Sequence, residues 1–136
     1  MIPGIVVPTI LVKDVDRSIH FYGAVAGYEV LARDNIRTLL GLSNVSTEPK
    51  LCLIDEMSQM VPRAARGMVG GVFLSIIVQD VANCHAAALT LGAEVIEAPH
   101  GRHGAVRAIL RDPDGVVIDV ATAEGYALEL PRKRHA

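Results

Sequence analysis

An α+β fold of two tandem β-α-β-β-β modules is predicted by three observations. The chain repeats itself at an offset of 66 residues, Val12-Lys13-Asp14-Val15 returning as Val78-Gln79-Asp80-Val81. Each copy sits between an apolar strand-like run and a segment of helical periodicity that stops at a glycine, Gly27 in the first copy and Gly92 in the second, with a single-residue gap. A hairpin signal, Asp112-Pro113-Asp114-Gly115, follows near the end of the second copy. Self-similarity of this kind marks a duplicated unit and makes positions in the two copies comparable.

The elements follow in order. Ile5 to Val12 is β-branched and broken only by Pro8, which predicts a strand at a sheet edge or with a bulge. Asp14 or Asp16 can cap a helix whose Val15, Ile19 and Tyr22 share a face, completed by Val25 or Ala26 and stopped by Gly27. Strands are expected at Glu29 to Arg33, Arg37 to Leu42 and Lys50 to Asp55, separated by turn-prone Asp34-Asn35 and by Ser43 to Pro49. Residues 56–71 lack a clear period and read as a connection that either covers a cavity or crosses the surface. The second module, 72–122, repeats the first, 5–55. Its predicted first strand is Val72 to Val78, and Asp80 caps a helix with Val81, Cys84, Ala88 and Leu91 on one face. Strands at Glu94 to Ala98, Ala105 to Arg111 and Val116 to Ala121 complete it, the last two joined by the Asp-Pro-Asp-Gly turn. Residues 123–136 are expected to form a solvated tail, and its Arg132-Lys133-Arg134-His135 run is no binding patch.

Composition narrows the function classes. At 136 residues the chain is one domain's worth of sequence, and with two Phe, three Tyr and no Trp its core must be built from aliphatic side chains. A net charge of −2 argues against nucleic acid as a partner. No apolar run reaches the length of a membrane span, and Met1-Ile2-Pro3-Gly4 lacks the features of a signal peptide, so a cytoplasmic location without membrane association is expected. Cys52 and Cys84 form no CxxC pair, which predicts reduced, partly buried thiols.

Three patterns together carry a resemblance: V-x-D-V-x-x-S-x-x-F-Y over Val12 to Tyr22, the later V-x-D-V with its A-x-x-L-G-A helix end, and the DPDG hairpin. From Val6 to Ala123 the chain resembles the vicinal oxygen chelate superfamily of glyoxalases, bleomycin-resistance proteins and extradiol dioxygenases. The resemblance implies a half-open, curled mixed sheet with helices outside, a small-molecule cavity inside, and commonly a homodimer. One scaffold hosts many chemistries, so membership alone does not name the reaction.

Metal-dependent members of that superfamily hold their ion with four residues, on the first and last strand of each module. Matched motif by motif, those positions are Val7, Leu53, Phe73 and Asp119 here, and the offset of 66 relates Val7 to Phe73 and Leu53 to Asp119. Only Asp119 offers a donor, and a shift at Leu53 to Cys52 or Ile54 adds no oxygen ligand. No metal and no other cofactor is expected. Strand alternation places Val7, Thr9 and Leu11 on one face, with Phe73, Ser75 and Ile77 equivalent to them and Val117, Asp119 and Ala121 on the last strand. If that face is the inner one, Asp119 is a carboxylate in apolar surroundings, with a raised pKa suited to general acid or base work. It can equally be a satisfied polar group bonded to Thr9, Ser75 or an arginine. Arg107 is the partner that hairpin register favours, and a bulge would bring Ala108 there instead. His100-Gly101-Arg102-His103-Gly104 reads as a loop from which His103 or Arg102 can contact a polar part of a ligand, or which is simply exposed. His20 and His85 are expected to face solvent or a partner subunit.

Two function classes remain. One is a metal-independent isomerase, lyase or cyclase with Asp119 as base, aided by Arg107 or His103, acting on a small apolar compound. The other is a binding protein that sequesters a drug or metabolite, as bleomycin-resistance proteins do. With no Trp and a nearly balanced charge, bleomycin itself is a poor candidate.

Overall fold

The computed structural model describes residues 4–67, 70–102 and 104–126. The first unit runs β1 (Thr9–Val12), α1 (Val15–Ala26), β2 (Glu29–Arg33), β3 (Arg37–Gly41) and β4 (Leu51–Asp55). The second runs β5 (Leu74–Ile77), α2 (Val81–Thr90), β6 (Val95–Arg102), β7 (Ala105–Arg111) and β8 (Val117–Ala121), followed by α3 (Ala123–Tyr126). Each unit forms a four-stranded, open, mixed sheet. The strand orders are β1-β4-β3-β2 and β5-β8-β7-β6, and in each the first and last strands pair in parallel. This is the α+β architecture that the repeat predicts. By contacts the chain divides into Met1–Val72 with Asp112–Gly115, and Phe73–Arg111 with Val116–Ala136. Among the described residues no helix is long and apolar enough to cross a membrane.

Local chemistry explains the helices. Asp14 and Asp80 have extended backbones, and their carboxylates accept from Arg17 N at 3.1 Å and Asn83 N at 3.0 Å, supplying a free first-turn amide with an acceptor in both copies. Gly27 closes α1 in the left-handed region at φ 71°, where its N–H donates to Gly23 O. The buried stripe of α1 is Ser18, Phe21, Tyr22 and Val25, while Val15 and Ile19 are only half-buried, so the helix is turned from the face that hydrophobicity predicts. A serine belongs to that stripe because its hydroxyl meets Asp114 Oδ2 at 3.4 Å. Beside it, Tyr22 donates to Asp112 Oδ2 at 2.7 Å and Lys13 N to Asp114 Oδ1 at 2.9 Å. The Asp-Pro-Asp-Gly turn is therefore also a set of acceptors for α1. In α2 the predicted face holds, with Val81, Cys84 and Ala88 buried.

Strand ends differ from expectation where no partner is present. Residues 5–8 and 72–73 precede the paired strands, although Pro8 O still accepts from Cys52 N at 2.8 Å. β1 is an edge strand, as Pro8 predicts. Within residues 56–71, Arg63–Ala65 forms a 3-10 turn, and the Arg66 guanidinium donates to Glu56 O and Ser58 O, closing the segment on itself. The expected tail begins with ordered structure, since α3 packs on β7 and β8 and Thr122 Oγ1 accepts from Gly125 N at 3.0 Å. The basic run at 132–135 lies outside the described residues. Cys52 and Cys84 are free and buried.

Candidate functional site

Alternation along the strands of the second unit separates two faces. Ile76, Ala108, Leu110, Ile118 and Val120 are buried on one of them, the face that α2 covers. The other carries Ser75, Ile77, Ile109 and Asp119, and it is open, with Ser75 exposed and Ile77 53% exposed. Phe73, just before β5, is 57% exposed. Asp119 and Ala121 are buried on that face, the Asp119 side chain only 3% exposed beneath Arg107.

The contact between them is bidentate. Arg107 Nε donates to Asp119 Oδ1 at 3.2 Å and Nη2 to Oδ2 at 2.6 Å. The β7–β8 ladder is regular and pairs Asp119 with Ile109 and Arg107 with Ala121, so the arginine reaches its partner diagonally. Neither Thr9 nor Ser75 is the partner of Asp119; Thr9 Oγ1 donates to Val7 O at 3.1 Å. Of the two readings of Asp119, the satisfied polar group bonded to Arg107, the partner that hairpin register favours, is the one found, and the carboxylate is not isolated in apolar surroundings. The same pairing raises the Arg107 pKa further above its ordinary value, through the hydrogen bonds and then the charge of Asp119.

The His100-Gly101-Arg102 stretch is a correction to the expected loop. It is the end of β6, with His100 opposite Arg107, Gly101 opposite Val106 and Arg102 opposite Ala105. A Cβ on Gly101 would overlap the Ala105 carbonyl oxygen, so the glycine that suggests a flexible loop is required by the close approach of two strands. β6 is an edge strand, which is why it tolerates Pro99. His100 Nε2 lies 3.1 Å from Glu97 Oε2, and both side chains are about half exposed. His103 lies outside the described residues. His20 is exposed and His85 is half-buried.

In the first unit the placement of Leu53 is overturned. It pairs with Ile10 and Thr38 and is fully buried, on the face that Val12, Leu40 and Leu51 share beneath α1. Cys52, paired with Thr9 as Asp119 is with Ser75, holds the equivalent of the Asp119 position, at an offset of 67 rather than 66. All of Leu51 to Ile54 is buried, so nothing in that apolar run distinguishes its two faces. Val7 precedes β1 and is half-buried.

These residues do not fit the metal that the superfamily implies. Val7 and Phe73 have no side-chain donor, Cys52 is one buried thiol, and both oxygens of Asp119 are engaged by Arg107. Among the described residues no group of three or more His, Cys, Asp or Glu could hold a metal ion. A shallow cleft of about 600 Å³ in the second unit, between Ile77–Ala82, Val106 and Thr122–Glu124, includes neither Asp119 nor Arg107. The chemically distinctive feature is the pair on the open face.

Residues 6–121 match the family model described as a glyoxalase-like domain. No curated protein matches the chain. Among solved structures, a glyoxalase-related enzyme from Fulvimarina pelagi has a TM-score of 0.66 at 18% identity, covering 89% of this chain and 88% of that one. An integron cassette protein from Vibrio cholerae has a TM-score of 0.64 at 22% identity, covering 93% and 99%. A lactoylglutathione lyase from Agrobacterium tumefaciens has a TM-score of 0.60 at 20% identity, covering 93% and 98%. At these identities the structural likeness establishes the fold.

Proposed function

Given that the chain belongs to the glyoxalase-like domain family, we propose that it is a cytoplasmic homodimer that holds a small, largely apolar organic molecule without converting it. One observation carries this reading: the only acidic group at the family's ligand positions is committed to Arg107 by two hydrogen bonds and is nearly removed from solvent. A general base needs a free lone pair within reach of the proton that it abstracts. Isomerase, lyase or cyclase chemistry through Asp119 would have to bring a substrate proton to a carboxylate that Arg107 covers and that is only 3% exposed. The surface around it suits binding, because Phe73, Ile77 and Ile109 offer apolar area and Ser75 a polar contact.

The test is a thermal-shift screen of small aromatic and alicyclic compounds, since a ligand that binds only the folded state raises the melting temperature. Each hit is then incubated with excess protein and recovered for mass spectrometry. Stabilisation with quantitative recovery of the unchanged compound supports sequestration. Steady appearance of an isomer or elimination product, abolished in Asp119→Asn, would replace it by the enzymatic reading. A screen without any stabilising compound would defeat both.

A further inference from the structure

We propose that Arg107, held from beneath by Asp119, is a carboxylate-binding group, so that the molecule taken up on the open face of the second sheet is an apolar body bearing a carboxylate. The inference rests on the small-molecule reading and specifies its ligand class.

A guanidinium has five N–H donors in a planar fork. Asp119 takes the edge formed by Nε and one Nη2 hydrogen. The other edge, one hydrogen each from Nη1 and Nη2, has no partner among the described residues, and the side chain is 45% exposed. Two parallel N–H groups of this kind match a carboxylate, and because the bidentate bond to Asp119 fixes the plane, little rotamer freedom is lost when a ligand arrives.

The neighbours favour an anion. Arg102 stands on the same face as Arg107, on the next strand and diagonally across from it, exposed and without an ion-pair partner among the described residues. Glu97, the acid on this face of β6, is engaged by His100 at 3.1 Å. Asp119 compensates Arg107 from below and Glu94 pairs with Arg111 at 2.7 Å further along the face, so around the open edge of Arg107 the surface presents its guanidinium and that of Arg102 against Glu97, which lies beside His100 and whose charge also acts on Arg107. Ile109 lies two residues along β7 from Arg107, Ile77 stands on that face on β5 and Phe73 just precedes β5, and they provide apolar contact for the rest of the molecule.

The chain has no Trp, so binding of 1-naphthoate can be followed by the probe's own fluorescence and compared with its neutral isostere 1-naphthamide. The wild-type protein should bind naphthoate at least about tenfold more tightly than naphthamide, the difference expected for hydrogen bonds to a charged group. Arg107→Gln alone leaves Asp119 buried and unpaired, so the diagnostic variant is Arg107→Gln with Asp119→Asn, in which two neutral amides replace two charges. It should bind both probes with about equal affinity. Arg102→Gln should narrow the preference without removing it. Equal affinity of the wild type for both probes would overturn the carboxylate site while leaving the small-molecule reading intact. A preference that survives in the double variant would place the anion elsewhere and equally overturn it. Binding of neither probe also overturns it, and hits among neutral compounds in the thermal screen then report separately on the broader reading.

Discussion

At the scale of single residues, the Arg107–Asp119 pair makes an asymmetric prediction. Removing the arginine leaves a nearly buried carboxylate without its donors, whereas changing both partners leaves no orphaned charge. Arg107→Gln should lower unfolding stability by about 1–3 kcal/mol, a range that allows for an arginine about half exposed to solvent. Adding Asp119→Asn to that variant should recover part of the loss. Urea denaturation of the three proteins decides it, and a double variant less stable than Arg107→Gln would show that the pair is not what holds Asp119. Tyr22 allows a second test. Burial, and then Asp112 beside it, push its phenol far above the ordinary tyrosine range, and burial raises Tyr28 as well. Above pH about 10 the unfolded chain therefore releases tyrosine protons that the folded chain retains. The unfolded state then binds fewer protons, and stability falls as pH rises. Denaturation midpoints between pH 9 and 11 should decline, and Tyr22→Phe should be less stable at neutral pH but flatter across that window.

At the scale of elements, the predicted order of strands and helices was legible because it rests on local chemistry. Capping aspartates, a left-handed glycine and a hairpin turn act within a few residues of chain, and each is found where the sequence places it. Misreadings arose where the same residue type serves two purposes. Glycine at 101 is compatible with a loop, yet it lies in β6, where Ala105 O leaves no room for a side chain. Gly101→Ala should consequently push the ends of β6 and β7 apart. Hydrogen exchange at residues 100–107 should accelerate while amides of the first sheet keep their protection, and unchanged exchange at 100–107 would refute the close approach. Leu53 failed for a different reason. A strand in which four successive residues are buried carries no alternation, so only its pairing with Thr9 and Ile10 assigns its faces.

For the whole molecule, the expectation of a dimer now has named surfaces. Val72 is 70% exposed, Val30 on β2 and Ile96 on β6 are 43% and 45% exposed, and β1, β2, β5 and β6 are sheet edges. Exposed apolar area and unpaired strand edges are what self-association covers. Light scattering at micromolar concentration should report about twice the mass of one chain. A monomer under those conditions would remove the homodimer from the proposed function. Elemental analysis of purified protein should find no stoichiometric divalent metal, since the donor set of Val7, Cys52, Phe73 and an arginine-bound Asp119 does not suit one. One ion per chain resisting dialysis would mean that the ligands lie at other positions.

By itself the sequence determined the duplicated α+β framework, the family, the helix boundaries near their caps and the scarcity of donors at the family's ligand positions. All of these depend on residue type or on contacts within a few positions of chain. Hairpin register in the sequence already favours Arg107 as the partner of Asp119, and the structure selects it over Thr9, Ser75 and a bulged register; the tertiary structure alone decided that Cys52 rather than Leu53 is the counterpart of Asp119, and that Tyr22 and Ser18 face Asp112 and Asp114. Each is a question of which strand or turn lies opposite, and that is settled by ladder register and packing between segments far apart in the chain, which local propensity does not encode.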